Sequence, residues 1–350
     1  IPVTNVENAC ASSAAAFQVA WMDVALGIHE VGLALGMEKM YLEDRAMRLK
    51  LFSASADVEI VEQLVQALKS EKEKKRKQAE ERGEADSGEK KKVEGSAFME
   101  IYAMACRLHM DKYGITQRQL AVISSKNHDH AVHNPHAQYR MAMSVDEVLQ
   151  APEVAFPLTR PMCSPVGDGA AALVLCSGDY VKKIGAHKPV KVLAAVQGGG
   201  QDRGFDDPDV TERTAARAYE AAGVGPEDIE VAEVHDATAF GELRASEGLG
   251  FCKPGQGGVF AEQGHSRIGG KLPINPSGGL QCKGHPVGAT GAAQIAELIW
   301  QLRGEAGNRQ VPNARIALAE NGGGNIGIEE AALAITILQA DGYAGRREAS

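Results

Sequence analysis

Residues 275–291 read NPSGGLQCKGHPVGATG, and this glycine-rich stretch around a single histidine decides how the rest of the chain is read. Gly284 lets the backbone turn sharply just before His285. Pro286 suits the first position of a helix, where its missing N–H costs nothing. The small residues from Val287 to Ala292 then read as a helix start. His285 is therefore expected at a strand-to-helix corner near exposed helix amides, a good place to move a proton on an acyl substrate. A lone histidine is ordinarily a packing or surface residue. This setting, together with a matching partner at Cys10, points to chemistry instead.

Cys10 lies in NACASS, between a possible strand and a helix. A cysteine at a helix N-terminus feels the positive end of the dipole, which is expected to lower its pKa and favour the nucleophilic thiolate. The alanine and serine neighbours leave room for an acyl group, and a nucleophile needs a base within hydrogen-bond reach. His235 stands in EVHDATAF, at the end of an expected strand. A neutral imidazole there can donate to a thioester oxygen, with Asp236 helping to orient the site. The fourth piece is Ala319–Gly324, AENGGG, read as a glycine turn ahead of a strand that exposes backbone N–H groups to an oxyanion. A phosphate-binding P-loop is excluded, because no GK[ST] follows.

The 350 residues suggest about two domains. A net charge of -9 does not favour nonspecific nucleic-acid binding. No apolar run approaches the roughly 18 residues that span a bilayer. The six cysteines are scattered without CxxC spacing, which argues against a zinc site and fits reduced thiols in a cytoplasmic compartment. The sequence enters directly at IPVTNVENACASS, which hints that an earlier part is absent.

Along the chain, Ile1–Glu7 alternates weakly and reads as a strand. A helix follows from Ala9 to Met22, burying Phe17, Val19 and Trp21, and then Val31–Met37 reads as a buried strand. Residues 41–160 lack strand rhythm. Within them Lys69–Lys92 carries ten basic and seven acidic residues and reads as a solvated helix and loop. Met99–Tyr113 has helical spacing, with a helix end at Gly114 and a new cap at Thr116. The four histidines between His128 and His136 sit in what reads as a polar, proline-interrupted loop without a metal-binding helix pattern. Asp168–Cys176 is a turn into a buried strand. From Val190 a second α/β block alternates strands (Val190–Val196, Glu230–Val234, Ala331–Leu338) with helices at Thr211–Ala222 and after Pro286. Such alternation implies a mostly parallel sheet with sites at strand ends.

Together these blocks resemble the thiolase superfamily, and most closely its sterol-carrier-protein-x and lipid-transfer branch. The resemblance rests on NACASS at Cys10, HD-x-x-x-F at His235–Phe240, NPSGG…KGHPVGATG at 275–291 and the glycines at 322–324. YGITQRQLAVISSKN (113–127) and SPVGDGAAALVL (164–175) extend it over nearly the whole chain. It implies an α/β thiolase-like fold: two similar mixed-sheet βαβ halves layered with helices, plus a loop domain. The N-terminal-type unit would be 1–178, incomplete at its start and with the loop domain inserted at about 41–160. The C-terminal-type unit would be 188–340. By the same resemblance Cys10 accepts the acyl group, His285 activates it, His235 helps bind the thioester oxygen, and Gly322 contributes an oxyanion amide.

The chain departs from the family at the second acid/base cysteine. Glu320 falls where the C-x-G motif carries one, and Ala237 where the carrier branch does. Glu320 can act as acid or base only if a dry pocket raises its pKa. The leading expectation is an acyl-CoA C-acyltransferase working on 3-oxoacyl-CoA substrates of lipid or sterol side-chain metabolism. CoA and acyl-CoA would be substrates, with no permanently bound cofactor, and the chain would form a homodimer. A thiolase-like aldolase or lyase working with a small OB-fold acyl-CoA-binding partner, and a noncatalytic lipid-transfer protein, are the alternatives.

Overall fold

The structure, a computed structural model, describes residues 1–44, 47, 97–204 and 206–342, so the charged stretch Lys69–Lys92 lies outside the described residues. Ile1–Glu7 forms no strand. Ile1 and Val3 are exposed, and no described strand pairs with these residues. Ala9–Ala11 make one 3-10 turn that runs into α1 (Ser12–Ala25). Phe17 and Val24 of α1 are buried, whereas Val19 and Trp21 are only half-buried, so the inward face is narrower than the sequence implies.

β1 (Val31–Glu38) follows, and after it the chain forms α2 (Ala97–Tyr113), α3 (Gln117–Ala131), α4 (Val145–Gln150) and the short strands β2 (Glu153–Ala155) and β3 (Leu158–Thr159). Gly114 takes φ +74° as α2 ends, and the Thr116 side chain accepts from the Gln119 amide in a capping box that starts α3. α3 carries His128 and His130 of the histidine stretch read as a loop and ends at Ala131, before His133 and His136. His128 and His130 are buried, and His130 bridges two segments: its Nδ1 donates to the Asn275 carbonyl while its Nε2 accepts from the Ile268 amide.

β4 (Gly169–Cys176) then returns antiparallel to β1, with Val31 opposite Cys176 and Glu38 opposite Gly169. Both strands were expected to be buried. They are buried on one face only: Ala34, Leu173 and Leu175 point inward, while Leu33 (63% exposed) and Val174 (69%) point out. A continuous apolar run hides this period-two alternation.

α5 (Gly178–Ile184) leads to the second half: β5 (Lys191–Gly199), α6 (Val210–Ala222), β6 (Val231–Glu233), α7 (Ala239–Gly248), α8 (Gly257–Glu262), α9 (Gly279–Cys282), a 3-10 turn at Val287–Ala289, α10 (Thr290–Arg303), β7 (Ile316–Gly323) and β8 (Ala332–Gln339). Its sheet runs β5-β8-β7-β6, and only β6 and β7 are parallel, which corrects the mostly parallel expectation. The short connection 324–331 makes β7 and β8 antiparallel neighbours, and no crossover helix separates them.

One unit therefore occurs twice: a three-residue 3-10 turn, a 14-residue helix, an eight-residue strand and an antiparallel eight-residue partner. The two helices pack against each other. A methyl added to Gly291 would stand 2.6 Å from the Ala14 Cβ and 2.5 Å from the Asn321 Oδ1, so only glycine permits this approach. Ser13 Oγ accepts from the Ala292 amide at 2.9 Å and stitches the seam. Phe17, Leu173, Ile295, Leu298 and Leu338 form a core shared by both halves. Among the described residues, no helix is long and apolar enough to cross a membrane.

Candidate active site

Cys10 sits at the centre of the first 3-10 turn. The turn is set by Ala9, held at φ +49° while its amide donates to the Glu7 carboxylate at 2.9 Å. A non-glycine residue in that region costs about 1–3 kcal/mol, which the surrounding contacts must offset.

His285 arrives from the other half. Gly284 takes φ +111°, which supplies the sharp turn read from the sequence. The corner itself differs from that reading: the chain comes from α9 through a short loop, not from a strand, and Pro286 is the residue capping the 3-10 turn and not its first residue. His285 Nε2 lies 3.2 Å from Cys10 Sγ, and its Nδ1 lies 2.8 Å from Thr290 Oγ1. The Thr290 hydroxyl donates its single proton to the Pro286 carbonyl at 3.0 Å. Its oxygen is therefore left to accept from Nδ1–H, and Nε2 is the bare nitrogen that faces the thiol. The sequence reading missed Thr290. Its signal was a hydroxyl at the start of the helix after GHP.

His235 lies two residues beyond the end of β6, and its ring meets that of His285 edge-on with centroids 5.2 Å apart. Asn321 Nδ2 donates to His235 Nδ1 at 3.0 Å, which leaves the proton on His235 Nε2. This imidazole is thus a hydrogen-bond donor where that of His285 is an acceptor. Asp236 touches neither ring. Its carboxyl accepts from the Leu280 amide (2.6 Å), Gln281 Nε2 (2.9 Å) and Asn127 Nδ2 (3.0 Å), so it ties down the loop that carries His285. Behind it Lys126 and Glu242 form a buried ion pair at 2.6 Å. Lys126, Asn127 and Glu242 escaped the sequence reading, because nothing in their spacing shows that α3 crosses behind this loop.

Burial governs the electrostatics. It pushes the Cys10 thiol up to about 12, with the charges of Glu38 and Glu330 adding to the effect and the amides of Cys10 and Gly324 opposing it. The expected lowering by a helix dipole is overridden by burial, since the apolar surroundings oppose a thiolate. Burial also holds His235 down near 4, and holds His285 well below the usual imidazole range with help from His235 and Lys283. The resting pair is therefore a neutral thiol hydrogen-bonded to a neutral imidazole.

Gly322 is not in a turn. It lies within β7 opposite Leu333, and the amide directed at the Cys10 sulfur is that of Gly324, two residues on. Glu320 is buried in the same strand, and its Oε2 accepts from the His235 amide at 2.8 Å. Burial drives its carboxyl up to about 8, with Glu330, Asp209 and Asp236 adding to the effect. A cavity of ≈ 230 Å³ is walled by His235, Glu320, Glu330, Tyr102 and Phe240. His235 is thus shared between this cavity and the Cys10–His285 pair. Among the described residues, Cys10, His235 and His285 also form a metal-capable donor set, with one donor atom of each within 4.8 Å of the others. Their spacing along the chain carried no sign of this convergence.

Two family models match the chain: "Thiolase, N-terminal domain" over residues 1–179 and "Thiolase C-terminal domain-like" over residues 205–336. The acetyl-CoA acetyltransferase of Methanothermobacter thermautotrophicus is 40% identical, over 93% of this chain and 78% of its own. Human sterol carrier protein 2 is 38% identical over 92% of this chain and 56% of its own. Among solved structures, the Ltp2–ChsH2(DUF35) aldolase matches with a TM-score of 0.71 at 22% identity, covering 96% of this chain and 79% of that one, a likeness of fold.

Proposed function

The chain belongs to the thiolase family and is an acyltransferase of that kind; from that premise we propose that Cys10 carries the acyl group between 3-oxoacyl-CoA substrates of lipid or sterol side-chain metabolism and CoA. The observation that carries this reading is the 3.2 Å contact between Cys10 Sγ and a His285 Nε2 whose other nitrogen is tied to Thr290. In the cleaving direction the Cys10 proton passes to His285 Nε2 as the sulfur bonds to the 3-oxo carbon. The bond between carbons 2 and 3 breaks, its electron pair leaving on the acetyl-CoA fragment. That fragment takes a proton at carbon 2 from a second acid. The thiol of CoA then passes its proton to the base so formed and attacks the Cys10 thioester. The Cys10 sulfur leaves with its bonding pair and regains the proton held on His285, which releases the shortened acyl-CoA.

His235 Nε2–H and the glycine segment from Gly322 to Gly324, through the Gly324 amide, are the donors assigned to the thioester oxygen. Residues 1–178 are assigned to the N-terminal-type unit and 188–340 to the C-terminal-type unit. We place the protein in the cytoplasm as a homodimer, with acyl-CoA as substrate and no resident cofactor. Incubation with acetyl-CoA followed by mass spectrometry tests the reading. The expected result is one acetyl adduct on Cys10, and its absence from the folded protein overturns the covalent mechanism.

A second reading is favoured by one observation. Glu320 and Ala237 stand where thiolases and the carrier branch place a second cysteine, so the chain lacks the thiol that ordinary thiolysis uses. Under that reading the protein is a lyase that works with a small OB-fold acyl-CoA-binding partner. Partner-dependent cleavage of a 3-hydroxyacyl-CoA without added CoA would establish it in place of acyl transfer.

A further inference from the structure

The family's reaction needs a second proton carrier, at the carbon next to the substrate's thioester, and the Cys10–His285 pair is already committed to the acyl carbonyl. The cavity beside His235 holds a group suited to the task. Glu320 is only 3% exposed, yet it sits on the cavity wall. One of its oxygens accepts from the His235 amide, and Oε1 makes no hydrogen bond among the described residues. Its backbone is fixed by β7 and by Gln294 Nε2, which donates to the Glu320 carbonyl at 3.0 Å. A second carboxyl closes in from the connection before β8: Glu330 lies where a side chain on Gly322 would be, with its Cγ 2.6 Å from that position. The charge of Glu330 acts on both Glu320 and Cys10, raising the pKa of each.

We propose that Glu320 is the carbon acid/base of this enzyme, with Glu330 as the neighbouring carboxyl that keeps it protonated. The proposal rests on the acyl-transfer reading above and adds to it. In the condensing direction the Glu320 carboxylate takes a proton from the α-carbon of acetyl-CoA. The resulting enolate attacks the acyl-Cys10 carbonyl carbon, and the Cys10 sulfur leaves with the electron pair of its broken C–S bond. In the cleaving direction the protonated carboxyl returns that proton to carbon 2.

The groups that face Glu320 set which form it holds. Glu330, Asp209 and Asp236 disfavour the carboxylate, the His235 amide favours it, and Arg244, paired with Asp209, and Tyr102 complete the wall. With its carboxyl near 8, Glu320 holds a proton at neutral pH and loses it above that value. Cleavage therefore falls, and condensation rises, as pH passes through about 8.

The test is hydrogen exchange at the α-carbon of acetyl-CoA in deuterated water, read by mass spectrometry together with the Cys10 adduct. Wild-type protein exchanges. Glu320→Gln, which keeps an acceptor for the His235 amide, loses exchange by ~10²–10⁴-fold while still forming the adduct. Glu320→Asp restores part of the exchange, and Glu330→Gln moves the pH midpoint downward. No exchange in the wild type, or full exchange in Glu320→Gln, overturns the assignment. Loss of the adduct in the wild type strikes the acyl-transfer reading instead, so the two failures are told apart.

Discussion

In the first turn–helix–strand unit the central residue of the 3-10 turn is Cys10; in the second it is Gly288. The backbone plan is shared, but the chemistry is divided. The first copy supplies the nucleophile and no base. The second supplies His285, three residues before its glycine, and no nucleophile. The strands differ as well: β1 and β4 bare one face, while every residue of β7 is buried. Glu38, at the end of β1, reaches across to accept from the Gly288 amide at 3.0 Å, so the strand end of one copy holds the turn of the other. The reacting pair therefore belongs to the seam and is complete in neither half.

Removing a reagent from either copy gives the largest effects. Cys10→Ala abolishes the acyl adduct and lowers turnover on the order of 10⁴-fold or more, measured by CoA-dependent cleavage of acetoacetyl-CoA. Residual activity within tenfold of wild type would show that the first copy does not supply the nucleophile. His285→Asn keeps the shape but removes the base, and slows Cys10 acylation by ~10²–10⁴-fold in single-turnover experiments. The resting protonation state gives the next test. A neutral thiol near 12 predicts that alkylation by iodoacetamide rises about tenfold per pH unit from neutrality upward. A rate already flat at neutral pH would mean that a thiolate–imidazolium pair exists before substrate arrives. The smallest effect is expected at Thr290→Val, which releases His285 Nδ1 and slows acylation about tenfold, equivalent to ~1.4 kcal/mol. Thr290→Ser, which keeps the hydroxyl, should retain the wild-type rate.

The residues that do the bonding were readable because their neighbours are unusual. Glycine and proline around His285, and small residues around Cys10, mark places where backbone geometry matters more than packing. The partners that choose the protonated nitrogen were not readable. Thr290 and Asn321 look like ordinary helix and strand residues until the seam sets them beside the imidazoles. The glycine segment was read as a turn for a related reason: three consecutive glycines do not show where a strand ends, and β7 runs on to Gly323. Strand burial was misjudged at VGLALGM, where the inward side of the pleat is formed by small residues and the leucines face out. The buried histidines of α3 were read as loop because helix propensity is weak against a polar composition, and tertiary packing against the loop around Asn275 overrides it.

The missing methyl at Gly291 has a consequence for altering this protein. The distance from sulfur to imidazole works like a gap gauge whose setting lies at the back of the site, in the contact of two helices. Neither Gly291 nor Ala14 borders the cavity that holds Glu320. Cavity walls other than His235 can therefore be altered without touching that helix contact. Conversely, one added carbon at position 291 would press on Ala14 and on Asn321, the partner of His235, and so reach the site from behind without entering the cavity.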